Sequence, residues 1–312
     1  MIALTPDPVA IQLGPLSVPW YGLGYAAAIV AAVWLGGREA ELRGIPRRHI
    51  SDGLVFVVLL GVIGARLYHV IDQWALYQSD PLRIILPPYS GLGLYGGIAG
   101  GLLGVYIYTR RHSLPYLRLT DALVPSVLLG QAIARWGNFF NQELYGPPTD
   151  LPWGIAIECQ FRVPAYPCDG FPVGTTGFHP LFFYESMLNL AGALVALWIG
   201  RRLLGTVRDG DLTAFWFIWY GATRTALEPF REGYNWTFFG RPVATLIGIA
   251  AIVGGLIFIA MRHRQERGGP GTQPLDPPDD PAPAPVPARP RVGPGTGVAV
   301  AEESEPGSGA PA

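Results

Sequence analysis

Apolar residues gather along this chain into seven runs, separated by polar stretches that carry the arginines. The runs cover residues 20–36, 51–73, 91–108, 121–137, 181–199, 212–230 and 243–261. A helix that spans a bilayer needs about 20 mostly apolar residues. All seven approach that length, and the third and fourth are marginal. The pattern predicts an all-α integral membrane protein of seven transmembrane helices. Residues before Trp20 mix polar and apolar types with several prolines and read as a short surface segment. They lack a basic stretch ahead of an apolar core, so no cleaved signal peptide is expected.

Arginine distribution sets the expected orientation. The loop after the first run holds Arg38, Arg43, Arg47 and Arg48, and the loop after the third holds Arg110, Arg111 and Arg118. Arg201, Arg202 and Arg208 follow the fifth, and Arg262, Arg264 and Arg267 follow the seventh. The alternate loops are poor in arginine. Basic residues favour the cytoplasmic side, so the N-terminus is expected outside and the C-terminus in the cytoplasm. The loop 138–180, with Cys159 and Cys168, is then extracytoplasmic. Those cysteines can form a disulfide in an oxidising compartment, or their proximity can be incidental. The domain division expected is a seven-helix membrane domain over 1–267 and a disordered cytoplasmic tail over 268–312. The tail is rich in Pro, Gly and Ala and has no apolar face to bury.

Composition strengthens the membrane reading. Half of the 312 residues are hydrophobic (50%), only 14% are charged, and mean hydropathy is +0.29. Soluble domains carry about 25% charged residues. The net charge of −1 conceals the asymmetry described above, and every one of the 22 basic residues is arginine.

The stretch 130–146, GQAIARWGNFFNQELYG, is the most informative. It delivers Arg135, Asn138, Asn141 and Glu143 at the end of a membrane run. The asparagines continue the helical face of Arg135, and Glu143 comes near if the helix frays. Elsewhere inside the runs lie Arg66, His69 and Asp72, then Glu185, then Arg224 and Glu228 with Arg231 following. Ionisable residues inside a span are more often functional than incidental. Counting the helical rise from the cytoplasmic ends puts Arg66 roughly 22 Å up, Arg135 roughly 21 Å and Arg224 roughly 18 Å. Three arginines are thus expected at one level in the outer half of the bilayer. Asp121 opens the fourth run on the other side, where an N-cap role suits it. Arg224 and Glu228 can also be an ordinary i,i+4 pair, Arg66 can snorkel, and His69 can simply bond a neighbouring helix.

Gly91–Gly96 matches G-x-G-x-x-G, but no strand precedes it and a membrane run follows, so no dinucleotide site is expected. The glycines instead form two rows, Gly93, Gly97, Gly101 and Gly96, Gly100, Gly104. Such small-xxx-small rows let a neighbouring helix or a lipid chain approach the backbone. Tyr95 sits at the outer end of this run.

Guanidinium forks suit phosphate. Several of them at headgroup depth, with amide donors and carboxylates, suit a phospholipid headgroup. No metal-ligand spacing, nucleophile elbow or Walker loop is present, and no metal, cofactor or nucleic-acid partner is expected. The chemistry these residues fit is transfer of a lipid group to an external acceptor, with arginines stabilising a phosphate leaving group. A transporter using the charges as an anion path, and a non-catalytic phospholipid-binding protein, are the alternatives.

The segment ARWGNFFNQELYG resembles the signature of the prolipoprotein diacylglyceryl transferases, which runs Gly-Arg, two residues, Asn-Phe, one residue, Asn, one residue, Glu, two residues, Gly. Arg135, Asn138, Phe139, Asn141, Glu143 and Gly146 match it. Trp20-Tyr21-Gly22, Gly64-Ala65-Arg66, Asp121 with Pro125, His179-Pro180 with Tyr184-Glu185, and Arg224 with Glu228 and Arg231 match in order. The resemblance covers roughly residues 14 to 262. It departs at Ala134, where the family has Gly. It also departs at Tyr95, where many members have a histidine before Gly-Gly that is taken as the base. Tyrosine, with an ordinary pKa of about 10, is a poor base at neutral pH.

The resemblance implies a transferase of the bacterial cell membrane. It would pass the diacylglyceryl group of phosphatidylglycerol to the lipobox cysteine of a prolipoprotein and release glycerol 1-phosphate. On this reading Arg135 and Arg224 hold the phosphate, and Asn138 and Asn141 donate to its oxygens. Glu143 and Glu228 orient the arginines, with either as proton acceptor, and Tyr95 stands at the base position. Arg66, Tyr21, Gly146, His179, Glu185 and Arg231 complete the lipid site, with His179 and Glu185 at its outer mouth.

Overall fold

A computed structural model describes residues 2, 6–14, 16–85, 91–203, 205–232 and 236–265. The expected tail, 268–312, lies outside the described residues. Among the described residues seven α-helices carry the fold: α1 Trp20–Glu41, α2 Arg48–Asp72, α3 Leu94–Arg111, α4 Tyr116–Phe140, α5 Leu181–Arg202, α6 Asp211–Leu227 and α7 Val243–Gln265. Three two-stranded antiparallel ribbons join them: β1 Val9–Leu13 with β2 Leu16–Pro19, β3 Pro148–Thr149 with β4 Gly177–Phe178, and β5 Thr237–Phe238 with β6 Arg241–Pro242.

Each apolar run lies on one of these helices, but several helices outrun it. α1, α5 and α7 continue through their basic ends to Glu41, Arg202 and Gln265. Arginine is a good helix former, and the backbone ladder does not stop where hydropathy does. α4 begins at Tyr116, so Asp121 is not its N-cap. Asp121 instead reaches across to α6, accepting from the Gly210 N–H (2.7 Å), the Thr213 N–H (2.8 Å) and the Thr213 hydroxyl (2.6 Å). It therefore caps the start of α6 from another helix, satisfying donors that helix cannot satisfy itself. α6 stops at Leu227 because Pro229 follows, and the chain tightens into a 3-10 turn over Glu228–Phe230.

Among the described residues five helices are long and apolar enough to cross a membrane: Trp20–Glu41, Arg48–Asp72, Tyr116–Phe140, Leu181–Arg202 and Val243–Arg264. α6 has 17 residues, and α3 has 18 with many glycines and two terminal arginines. Val55, Leu59, Ile71, Leu256 and Ile257 stand more than half exposed on α2 and α7. Apolar surface of that kind is costly in water and is at home in lipid.

α4 is the hub, packing against α1, α5 and α6, while α2 pairs with α3 and α6 with α7. The α2–α3 contact is made through glycine. A Cβ on Gly96, Gly100 or Gly104 would collide with the backbone carbonyls of Gly64, Leu60 and Phe56 respectively. The other row is looser beyond Gly93, which the Tyr68 ring crowds: a Cβ on Gly97 or Gly101 would meet nothing nearer than 3.5 and 3.7 Å. One glycine row thus serves helix packing, and the other faces a cavity.

Candidate active site

α4 ends at Phe140, and the chain beyond it turns back on itself. Gln142 and Leu144 adopt positive φ (49° and 56°), a conformation that side-chain-bearing residues rarely hold. The turn brings Glu143 back over the helix end. Its Oε1 accepts from the Asn138 amide at 2.8 Å and from Asn141 at 3.4 Å, and its backbone N–H donates to the Asn138 carbonyl. The asparagines of the signature thus hold Glu143. Gly146 is a close-approach position: its N–H donates to the His179 carbonyl, and a Cβ there would sit 2.9 Å from the Phe230 oxygen. Tyr21 packs its ring on Gly137, and its hydroxyl lies 3.3 Å from that of Tyr25. The His179 ring pairs with the Tyr184 hydroxyl (3.2 Å), which also accepts from the Trp153 indole.

The charged centre is built on α4, α5 and the end of α6. Glu185, buried on α5, takes Arg135 on one oxygen and Arg231 on the other, each at 2.6 Å. Arg224 pairs with the buried Glu228 at 2.9 Å. Glu228 thus meets an arginine as expected, whereas the partner of Arg135 is Glu185 and not Glu143. Arg231 lies just beyond α6; burial pulls its pKa below the ordinary arginine value, and the Glu185 charge pulls it back up.

These arginines border a cavity of about 250 Å³ whose lining also includes Tyr95, Gln131, Glu185, Asn189 and Tyr220. Gln131 Oε1, the Tyr220 hydroxyl and one Arg224 terminal nitrogen have no hydrogen-bond partner among the described residues. Buried polar groups left so are costly unless a ligand meets them. Three guanidiniums against two carboxylates leave one positive charge, which matches the single negative charge of a phosphodiester. Gln131, Tyr220 and Asn189 were not singled out from sequence. Each stands one helical turn from a charged residue that was: Arg135, Arg224 and Glu185. The i,i+4 rule is the signal that finds them.

A larger, mostly apolar cavity of about 670 Å³ meets the first at Leu94, Gln131 and Arg135. It runs between α3 and α4, past Gly93, Gly97 and Gly101, as far as Thr120 and Thr213. Its length along α4, from Arg135 to Thr120, is roughly 22 Å. A third pocket of about 210 Å³ shares Arg231 with the first and is otherwise bounded by Glu143, Leu144, Tyr145, Phe161, Val163 and Glu232.

Arg66 stands apart from all three. Its guanidinium donates to the carbonyls of Arg83 (2.7 Å), Ile84 (3.1 Å) and Gly91 (3.2 Å), and packs over the Tyr77 ring. It ties the segment after α2 to the start of α3. Among the described residues no group of three or more His, Cys, Asp or Glu is arranged to hold a metal. Cys159 and Cys168 form a disulfide.

Residues 8–261 match the family model for prolipoprotein diacylglyceryl transferase. A protein of Synechococcus elongatus is 36% identical over 269 residues, covering 85% of this chain and 91% of the relative. One of Chloroflexus aggregans is 37% identical over 273 residues, covering 83% and 89%. One of Symbiobacterium thermophilum is 36% identical over 265 residues, covering 84% and 96%. All three are named phosphatidylglycerol–prolipoprotein diacylglyceryl transferase.

Proposed function

The chain belongs to the prolipoprotein diacylglyceryl transferase family, and from that premise we propose how its own residues carry out the reaction. It is a transferase that moves the diacylglyceryl group of phosphatidylglycerol to a prolipoprotein. The acceptor atom is the lipobox cysteine sulfur and the product a thioether. All seven helices span the bacterial cytoplasmic membrane, with the N-terminus outside and the C-terminus in the cytoplasm. Residues 1–267 form the catalytic domain and 268–312 a cytoplasmic tail. The partners are two substrates and the bilayer, with no nucleic acid, metal or cofactor. The arginine asymmetry of the loops supports this orientation.

One observation carries the site assignment. The arginine-lined cavity, with one net positive charge, shares Leu94, Gln131 and Arg135 with an apolar groove. A lipid phosphate and its acyl chain have the same sequence of polar and apolar parts. Arg135, Arg224 and Arg231 hold the phosphate, and Glu185 and Glu228 fix the forks in place. The forks bind more tightly as the C–O bond lengthens, because charge accumulates on the departing glycerol phosphate.

The incoming thiol loses its proton to Glu143, whose exposed carboxylate faces the outer pocket. Glu228 is buried against Arg224 and is the poorer candidate. Arg231, between the two cavities, lowers the thiol pKa. The sulfur pair forms the S–C bond to the glyceryl carbon. The C–O bond to phosphate breaks, and its pair leaves on glycerol 1-phosphate. Tyr95 lines the phosphate cavity with its ring against Tyr68 (5.8 Å) and positions the headgroup.

The test is release of glycerol phosphate from phosphatidylglycerol in the presence of a lipobox peptide. Release that depends on the peptide supports transfer. Lipid binding without release would reduce the protein to a phospholipid-binding one.

A further inference from the structure

We infer that the 210 Å³ pocket outside Arg231 is the acceptor site, which seats an apolar side chain flanking the cysteine of the prolipoprotein. The inference rests on the transferase reading above and assigns that reaction's second substrate a place.

Three parts of the chain build the pocket. The signature turn supplies Glu143, Leu144 and Tyr145, the exit of α6 supplies Arg231 and Glu232, and the disulfide-closed loop 159–168 supplies Phe161 and Val163. The loop is fastened at both ends of this wall. The Val163 N–H donates to the Tyr145 hydroxyl at 2.7 Å, and that hydroxyl donates to the Phe161 carbonyl at 3.2 Å. Across the mouth, the Tyr166 hydroxyl donates to Glu232 at 2.7 Å. Burial pushes the Tyr166 phenol up to about 12, so it remains a donor at neutral pH. Beneath, Tyr145, Ile155, Ile157, Phe178 and Phe182 form a packed core on which the loop rests. The wall is therefore preorganised, which lowers the cost of binding.

Its chemistry fits one occupant. The thiol must reach a carbon bonded to the phosphate ester, and Arg231 borders both this pocket and the phosphate cavity. The apolar lining of Leu144, Tyr145, Phe161 and Val163 takes an aliphatic side chain. Glu143 at the rim is the carboxylate that receives the thiol proton. The lipid tail has its own groove, which Arg135 lines and which shares no residue with this pocket. Two substrates thus approach one reacting carbon from two sides, and the disulfide loop shapes only the peptide side.

The pocket is tested by steady-state kinetics on the full-length protein in detergent, with phosphatidylglycerol and a lipobox peptide varied separately. Val163→Trp fills the pocket, and Tyr166→Phe releases the loop from Glu232 without altering its shape. The expected result for Val163→Trp is a rise of about tenfold in the peptide KM, with the lipid KM unchanged. Tyr166→Phe is expected to raise the peptide KM a few-fold, again without moving the lipid KM. Should Val163→Trp fail to fold, Tyr166→Phe decides alone. An unchanged peptide KM in a folded variant, or a lipid KM that rises in step with it, overturns the assignment while leaving the transferase reading intact. A wild-type protein that releases no glycerol phosphate overturns both.

Discussion

Arg66 and Arg135 occupy α2 and α4 at nearly equal expected depths, roughly 22 and 21 Å above the cytoplasmic ends. Arg66 spends its fork on three backbone carbonyls around the α2–α3 connection. Arg135 meets a single carboxylate, Glu185, and borders two cavities. The first arginine cross-links backbone; the second presents charge to a space. Depth and residue type were the same, so the partner decides the role. The carbonyls hold the Arg66 N–H groups at the connection, away from the cavities. A carboxylate shared by Arg135 and Arg231 leaves half a charge on each, available to an anion.

The contrast breaks most visibly if the arginines are truncated. Arg135→Ala and Arg224→Ala should each reduce glycerol phosphate release by about 100-fold or more, as expected for losing a charged transition-state donor. Retention of near-normal turnover in either would sink the phosphate clamp. Glu185→Gln comes next. It keeps the shape but frees Arg135 and Arg231 from their common anchor, and a drop of about 10- to 100-fold in activity is expected, with a higher lipid KM. An unaltered lipid KM would mean the arginines need no such anchor.

Arg66→Ala should move stability more than chemistry. Loss of its bonds to the connection costs about 1 to 3 kcal/mol, read as a lower melting temperature, while turnover at low temperature stays within a few-fold. A loss as deep as that of Arg135→Ala would erase the distinction between the two arginines. The smallest effect belongs to Tyr95→Phe. A residue that positions the headgroup through its ring should lose no more than a few-fold without its hydroxyl. Abolished activity would instead place that hydroxyl in proton transfer.

Much of this molecule was legible in residue order. The apolar runs mark every helix, because a chain segment in lipid must satisfy its own backbone and bury no charge. The glycine rows of α3 announce close approach, and both outcomes occur: one row meets the α2 backbone and the other lines the groove. The return of Glu143 to Asn138 follows from spacing once the helix ends at Phe140. Gln131, Asn189 and Tyr220 were missed because neutral side chains on an apolar helix give no signal by themselves. Only the charged residue one turn away marks them.

What residue order determined by itself is local or counted along one axis: helix existence, the arginine bias of alternate loops, the spacing of each arginine from the start of its run, and the signature that carries the family. Hydropathy, spacing and rise per residue are one-dimensional quantities. What the tertiary structure decided is rotation about those axes and contact across them. It turned Arg66 toward a connection and Arg135 toward a cavity, gave Arg135 to Glu185 on another helix, and sent Asp121 to cap α6 instead of α4. It also folded a disulfide loop against the signature turn to make a pocket. Each of these joins residues far apart in sequence, and which pairs meet depends on how whole helices pack, a property no single segment contains.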